Sequence, residues 1–564
     1  MFKNHPKGLF TLALANMGER FGYYTMLAIF TLYMQAKFGF SEGATASIYG
    51  GFLALVYFLP LLGGLLADKV MGYGKTIILG IVVMFAGYAM LAVPMSDTMG
   101  KVMMFLALFC ISLGTGFFKG NLQALVGNLY DDPKYSANRD VAFSIFYMCI
   151  NIGAFFAPSA ATAISEHVMS GAHLAYNASI PALCHQFLEG TITPDAAKEL
   201  ATFATSQGVT DLTQFANHYI DVLGRSYNWG FGVACISLII SLAVFLIFKK
   251  TYAYANKTEK EKAQDIAAGK KDAAPLVELT KQQTKDRLVA LGLVFFVVIF
   301  FWMAFHQNGL TLTFFARDYT NLNISGLEKI GFSLLTLVPL AIAIYGIINI
   351  FQSKVKKGKL ISGCVTIVGF LLMVVGYNAL PETIEGKPQI FQQFNPFFIV
   401  VLTPIIVSIF AALNKRGKEP LAPRKIGIGM LIAPIGFLIL VLASIGLPTP
   451  DAAKAAGGVS VLHTLVSPNW LIGTYFTLTI AELFLSPMGI SFVSKVAPPK
   501  YKGLAQGGWF AATAIGNYLV SIIGLLWGGF PLWVLWCILI GLCLISATFL
   551  FSQMKKLEKT TREA

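Results

Sequence analysis

The sequence predicts an all-helical protein that crosses a membrane fourteen times, and three observations carry the prediction. Of the 564 residues, 56% are hydrophobic and 12% charged, where soluble domains carry about 25% charged residues. Mean hydropathy is +0.68. Long apolar runs recur fourteen times, and Lys and Arg gather in every second segment between them.

The runs lie at 9–36, 43–67, 75–95, 102–127, 141–165, 229–248, 287–315, 330–352, 360–380, 396–413, 426–447, 469–493, 504–528 and 531–552. A helix rises about 1.5 Å per residue, so about 20 apolar residues span a hydrocarbon core about 30 Å thick. With residue 1 in the cytoplasm and sides alternating, the inner segments hold 32 of the 42 Lys and Arg and the outer ones eight. Arg20 and Lys119 lie inside runs. This bias puts both termini in the cytoplasm of a multi-pass protein in the cytoplasmic (inner) membrane. The first run is too long for a signal-peptide core and carries charges in its middle, so it is expected to stay in the mature chain. Residues 251–285, rich in Lys, Glu, Gln and Ala, read as a cytoplasmic linker between a unit at 1–250 and a unit at 286–564. The first unit carries an outer insertion at 166–226, to which the sequence assigns no role.

Several function classes are excluded. The net charge is +14, but a nucleic-acid surface needs clustered basic residues, and here they are interleaved with apolar runs, so no nucleic-acid partner is expected. Six of the seven Cys sit in apolar runs and Cys184 stands alone, which is no disulfide framework. The segment Met71–Thr76 ends like a phosphate loop, but that motif needs Gly at position 69, which is Lys. No zinc-protease or nucleophile-elbow motif occurs, and the His residues lack ligand spacing. Neither an enzyme nor a cofactor or metal is expected.

Four ionisable residues lie at membrane depth: Glu19 and Arg20 in the first run, Lys119 in the fourth and Glu482 in the twelfth. Each costs about 2.5–3.5 kcal/mol on insertion scales if left facing lipid, so each should face a partner or a water-filled cavity. A structural ion-pair network is the plain explanation for any one of them. As a set they point to a substrate or proton path. Asn16, Arg20, Tyr23, Tyr24 and Leu27 follow one helical stripe with Glu19 at its edge. Lys119 sits among Gly114, Gly116 and Gly120, small residues that permit close helix approach. Tyr147 and Asn151 pair at i, i+4, as do Trp302 and His306, and Glu482 and Ser486. For the aromatic residues alone ordinary helix packing suffices; beside buried charges, lining of a cavity gains weight.

The stretch Asn16-Met17-Gly18-Glu19-Arg20-Phe21-Gly22-Tyr23-Tyr24 resembles the E-x-x-E-R-F-x-Y-Y signature of the proton-coupled oligopeptide transporter (POT/PTR) family of the major facilitator superfamily. Gly63–Asp68 with Gly72 and Lys75, Gly116–Asn121, and Phe146–Gly153 are similar to further stretches of that family. So are Phe301-Trp302, Asn395-Pro396, Glu482-Leu483 with Ser486-Pro487 and Gly489, and Trp509-Phe510 with Gly516-Asn517, in the family's order. The resemblance implies two six-helix bundles around a central cavity plus two additional helices, placed here at about 330–380. It also implies proton-coupled import of di- and tripeptides. A peptide at neutral pH is a zwitterion, so its site should be bipolar: Arg20 and Lys119 for the carboxylate, Glu482 with Asn395 for the amine. Tyr23, Tyr24, Tyr57, Tyr147, Asn151, Trp302, Ser486 and Trp509 would line the remaining space.

Asn16 replaces the first Glu of the signature, which leaves Glu19 as the acid expected to partner Lys119 and carry the proton. Many relatives have an Arg at the position of Leu27 and an acid at that of His306; both are absent here. His306 is then either a proton carrier on the second bundle or a neutral cavity residue, with coupling on Glu19 alone. The expected partners are peptide, protons and lipid, in a monomer. The rival reading is a transporter of the same superfamily for a non-peptide organic ion or drug.

Overall fold

The computed structural model describes residues 5–132, 134–257, 261, 264, 279–456, 465–498 and 501–563. The fold is almost wholly helical. Helices α1 (Lys7–Phe38), α2 (Glu42–Phe58, continued by Pro60–Leu66), α3 (Tyr73–Ala92), α4 (Asp97–Asn128), α5 (Arg139–Gly171) and α6 (Leu212–Ile247) make the first half. The second half comprises α7 (Lys281–Phe305), α8 (Leu334–Gln352), α9 (Lys356–Asn378), α10 (Phe394–Lys415), α11 (Ala422–Ser444), α12 (Asn469–Val496), α13 (Lys502–Leu525) and α14 (Leu532–Ser552). Among the described residues thirteen helices are long and apolar enough to cross a membrane. The remaining one, α1, has the length at 32 residues and carries Glu19 and Arg20 within it.

Local chemistry sets the helix ends. Gly39 stops α1 at φ 63°, a conformation that favours glycine, and its N–H bonds to the Gln35 carbonyl. The Ser41 hydroxyl caps α2 through Ala44 N–H, Asp211 caps α6, and Thr280 with Gln283 forms a capping box on α7. Proline lies inside α5, α8, α10, α11 and α12, which spanning helices accept because neighbouring groups satisfy the freed carbonyls.

Helix α6 starts at residue 212, well before the apolar run that begins at 229, and α5 continues to 171. The segment between α5 and α6 is therefore 172–211, shorter than the expected 166–226, with short helices Ile180–Leu188 and Pro194–Ser206. The extension of α6 is amphipathic: Phe215, Tyr219, Val222 and Leu223 are buried, while Asp221 and Arg225 pair on the exposed side. A search for continuous apolar length misses such a segment. The linker expected at 251–285 falls largely outside the described residues; its start, through Asn256, is bonded to Gly74 N–H by a 2.9 Å contact.

Within the first half α1 packs on α5 and α6, and α3 on α4; within the second, α11 packs on α12 and α14. The halves meet along α2 with α13 and α5 with α10. Small residues make these approaches possible. A Cβ at Gly114 would lie 2.5 Å from the Gly80 carbonyl, and one at Gly116 2.8 Å from Leu59. Gly120 is different: its nearest neighbour would be 3.9 Å away, so close packing does not explain it. The pair α8 and α9 pack on each other at the edge, with only 22% and 17% of their apolar windows buried, against 56% for α11. Two three-residue strands, β1 (Asn323–Ser325) and β2 (Thr383–Glu385), join the loops before α8 and α10 in antiparallel register.

Candidate functional site

The polar face of α1 holds a buried ion pair. Arg20 Nε donates to Glu19 Oε2 at 2.5 Å and Nη2 to Oε1 at 2.6 Å, and both residues are buried. The expected partner of Glu19 was Lys119; the structure instead gives it Arg20. Adjacent residues on a helix do not face each other, but the long guanidinium fork bends back to grip both carboxylate oxygens, which satisfies two buried charges at once. Arg20 also lies 4.8 Å from the Tyr23 ring centroid, and Tyr23 meets Tyr24 edge-on at 5.3 Å. Asn16 Nδ2 is buried with no hydrogen-bond partner among the described residues.

Lys119 on α4 has a different environment. Its ammonium sits 3.9 Å from the centroid of the Tyr57 ring on α2, and it makes no ion pair among the described residues. A cation over an aromatic face is held by the ring quadrupole. The Tyr57 ring also leads to α7: Tyr57 and His306 are 5.9 Å apart edge-on, and His306 lies 5.1 Å from Trp302. His306 opens a short 3-10 turn after α7 ends at Phe305. His306 Nδ1 and Trp302 Nε1 are both buried without a hydrogen-bond partner among the described residues.

Glu482 on α12 is buried and has neutral partners only. Tyr147 of α5 donates to Oε1 at 3.2 Å, and Asn395 Nδ2 of α10 donates to Oε2 at 2.9 Å. The first of these bonds crosses from one half of the chain to the other. Asn395 Nδ2 also donates to Thr479 Oγ1 at 3.0 Å, a contact that sequence spacing did not suggest. Asn151 donates to its own helix at Tyr147 O, 2.9 Å away. Ser486 is half-buried one turn beyond Glu482. Trp509 is buried in the seam between α12 and α13, where its ring occupies the space a side chain at Gly489 would need. The structure thus brings Arg20, Tyr23, Tyr24, Tyr57, Lys119, Tyr147, Asn395 and Glu482 toward one centre. Tyr24 and Tyr57 lie within electrostatic reach of both Arg20 and Glu482.

A second charged region lies at the face opposite the termini. Glu42, at the start of α2, accepts from Lys454 at 2.7 Å and lies 3.6 Å from Arg317, which also pairs with Asp318 at 2.6 Å. Lys387 is buried between Glu385 at 2.8 Å and Glu166 at 3.5 Å. All of these groups except Glu166 border a cavity of about 240 Å³ that includes residues of the 172–211 insertion. Sequence reading did not single them out, because charges at helix ends and in loops are ordinary.

The POT family profile matches residues 74–189 and 378–527. Dipeptide and tripeptide permease B of Xenorhabdus bovienii is 27% identical over 528 residues, covering 93% of this chain and 87% of the relative. By profile and by relatives alike, the chain is similar to the POT family. Dipeptide and tripeptide permease A of Escherichia coli is 26% identical over 545 residues, covering 92% of this chain and 84% of the relative. Among solved structures, a POT family transporter in complex with 5-aminolevulinic acid superposes with a TM-score of 0.67 at 19% identity, covering 99% of this chain and 98% of that one. The peptide transporter POT in complex with sulfate gives a TM-score of 0.66 at 22% identity, with 99% and 96% covered. These likenesses establish the fold, which is that of the solved POT transporters. The family is one of membrane transporters, not enzymes.

Proposed function

We propose that this protein imports di- and tripeptides together with protons across the cytoplasmic membrane by alternating access. The observation that carries the reading is the pair of incompletely matched charges in the centre. Lys119 in the first half rests on an aromatic ring, and Glu482 in the second is held by a phenol and an amide. A peptide zwitterion supplies what each lacks: its carboxylate completes Lys119, with Arg20 beside it, and its ammonium completes Glu482. Because the two ends engage different halves, bound peptide favours closure of one half on the other, which is what alternating access requires.

In this reading 1–250 and 286–564 are the two moving units, with 251–285 as their connection. The termini lie in the cytoplasm, by the distribution of Lys and Arg. The face joined by Glu42, Arg317 and Lys454 is then the outer one, and the described conformation is closed on that side. Glu19 is the coupling acid. Since it grips Arg20, its protonation frees Arg20 for the peptide carboxylate, while Lys119 is available throughout. Each copy holds a complete site, so a monomer suffices.

The test is uptake of a radiolabelled dipeptide into proteoliposomes with and without an inward proton gradient. Accumulation that requires the gradient is the expected result. Absence of uptake for a panel of di- and tripeptides, with gradient-driven uptake of a non-peptide organic ion, would overturn the reading.

A further inference from the structure

Glu482 does not meet Asn395 alone. The Asn395 Nδ2 group donates one proton to Glu482 Oε2 at 2.9 Å and the other to Thr479 Oγ1 at 3.0 Å. Thr479 lies three residues before Glu482 on α12, so the two share a helix face. It is fully buried, and its hydroxyl proton is committed to the Tyr475 carbonyl at 2.7 Å. With its one proton engaged, the Thr479 oxygen can only accept. The amide is therefore pinned by two acceptors, and both of its N–H groups are consumed. The remaining polar atom, Asn395 Oδ1, accepts from no described residue and is not among the fully buried unpaired atoms of this half-buried side chain.

We infer that Thr479 is a positioning residue for the amine end of the substrate, acting through Asn395. An ammonium has donors only, so its ligands must all be acceptors. Glu482 provides a carboxylate and Asn395 can add its carbonyl, provided that no amide N–H points at the ammonium. Thr479 absorbs the second N–H, and it holds the amide in place when Glu482 turns its charge toward the substrate. Without that hydroxyl the amide keeps an unsatisfied N–H and gains freedom to rotate beside the ammonium. This inference rests on the proposed peptide function, and in particular on Glu482 as the amine ligand.

The experiment compares Thr479→Val, which keeps shape and removes the hydroxyl, with Thr479→Ser, which keeps the hydroxyl. Dipeptide uptake is measured at saturating gradient for each, alone and combined with Asn395→Ala. Loss of one buried hydrogen bond predicts that Thr479→Val raises KM about five-fold to ten-fold with the maximal rate nearly unchanged, while Thr479→Ser stays near wild type. In the Asn395→Ala background Thr479→Val should add nothing, since the residue it acts through is gone. A fall in maximal rate at unchanged KM, or a full additional loss in the Asn395→Ala background, would overturn the inference, and so would a raised KM in Thr479→Ser. The last arm holds even if Thr479→Val does not fold. Glu482→Gln separates the two levels: if it transports normally, the amine site itself is misplaced; if it loses uptake while Thr479→Val keeps wild-type KM, only the role of Thr479 is wrong.

Discussion

At the face opposite the termini the described charges that join the two halves meet opposite charges, whereas in the centre of the molecule two charges are left with neutral company among the described residues. Glu42 has Lys454 and Arg317, Arg317 has Asp318, and Lys387 has Glu385 and Glu166. In the centre Glu19 and Arg20 satisfy each other, but Lys119 lies on a ring and Glu482 accepts from Tyr147 and Asn395. The two regions are therefore built for different ends. A closed set of ion pairs holds two surfaces together and has no further demand for a ligand. A buried charge with neutral partners is costly to maintain, and the cost is recovered when a ligand brings the missing charge.

The largest effects should come from breaking the centre. Lys119→Ala removes a cation that no carboxylate among the described residues pairs with, and gradient-driven dipeptide uptake should fall to background; proton-driven accumulation at wild-type level would refute the assignment. Glu482→Gln keeps the shape and the contacts with Tyr147 and Asn395 but loses the charge. Charge-assisted bonds of this kind contribute about 1.5–3 kcal/mol, so apparent affinity should drop roughly ten-fold to a hundred-fold. The loss should be confined to peptides with a free amine. A competition assay with an N-acetylated dipeptide checks this: its weak inhibition should be the same in the variant and in wild type.

This comparison also explains what was legible in the sequence. Lys119 and Glu482 stand out because a charge inside a long apolar run has no ordinary explanation. The mouth charges were silent for the opposite reason: Glu42, Arg317, Lys387 and Lys454 sit at helix ends and in loops, where charges are common, and only the fold brings them together. The Glu19–Arg20 pair was missed because helical spacing treats neighbours as pointing apart, while the flexible Arg side chain overrides that rule. Thr479 carries no signal in an apolar helix until α10 delivers Asn395 to it. The fourteen crossings were readable from hydropathy, but the amphipathic start of α6 was not, since its buried face is set by packing on neighbouring helices.

Breaking the mouth should cost less than breaking the centre. Glu42→Gln releases Lys454 and weakens the tie to Arg317, which still has Asp318. Partly exposed ion pairs contribute about 0–1 kcal/mol each, so uptake should change by less than about five-fold, and Tm in detergent should fall by a few degrees at most. Lys454→Gln should have a smaller effect, since it leaves the Glu42–Arg317 pair in place, and the double variant should resemble Glu42→Gln, which already removes the pair with Lys454. A loss of uptake as complete as that of Lys119→Ala would mean that the mouth binds substrate, and the distinction between the regions would collapse.

The smallest effect is expected at His306, which lies near the centre but outside its unmatched set. Its ring is flanked by Trp302 at 5.1 Å and Tyr57 at 5.9 Å, with Nδ1 unpaired and no carboxylate in hydrogen-bonding contact among the described residues. An imidazolium there would be a buried cation with no counter-charge, on the same ring that already supports Lys119. Such a charge is expensive unless a partner arrives with it. His306→Gln keeps a polar group and removes the titration, so dipeptide uptake should retain its pH optimum and its accumulation against a concentration gradient, with a rate close to that of wild type. The measurement is the pH profile of uptake between about pH 5 and 8, the range in which an unperturbed imidazole changes charge. A flattened profile, or facilitated uptake without accumulation, would move the coupling proton from Glu19 to His306 and extend the set of unmatched charges to the second half of the chain.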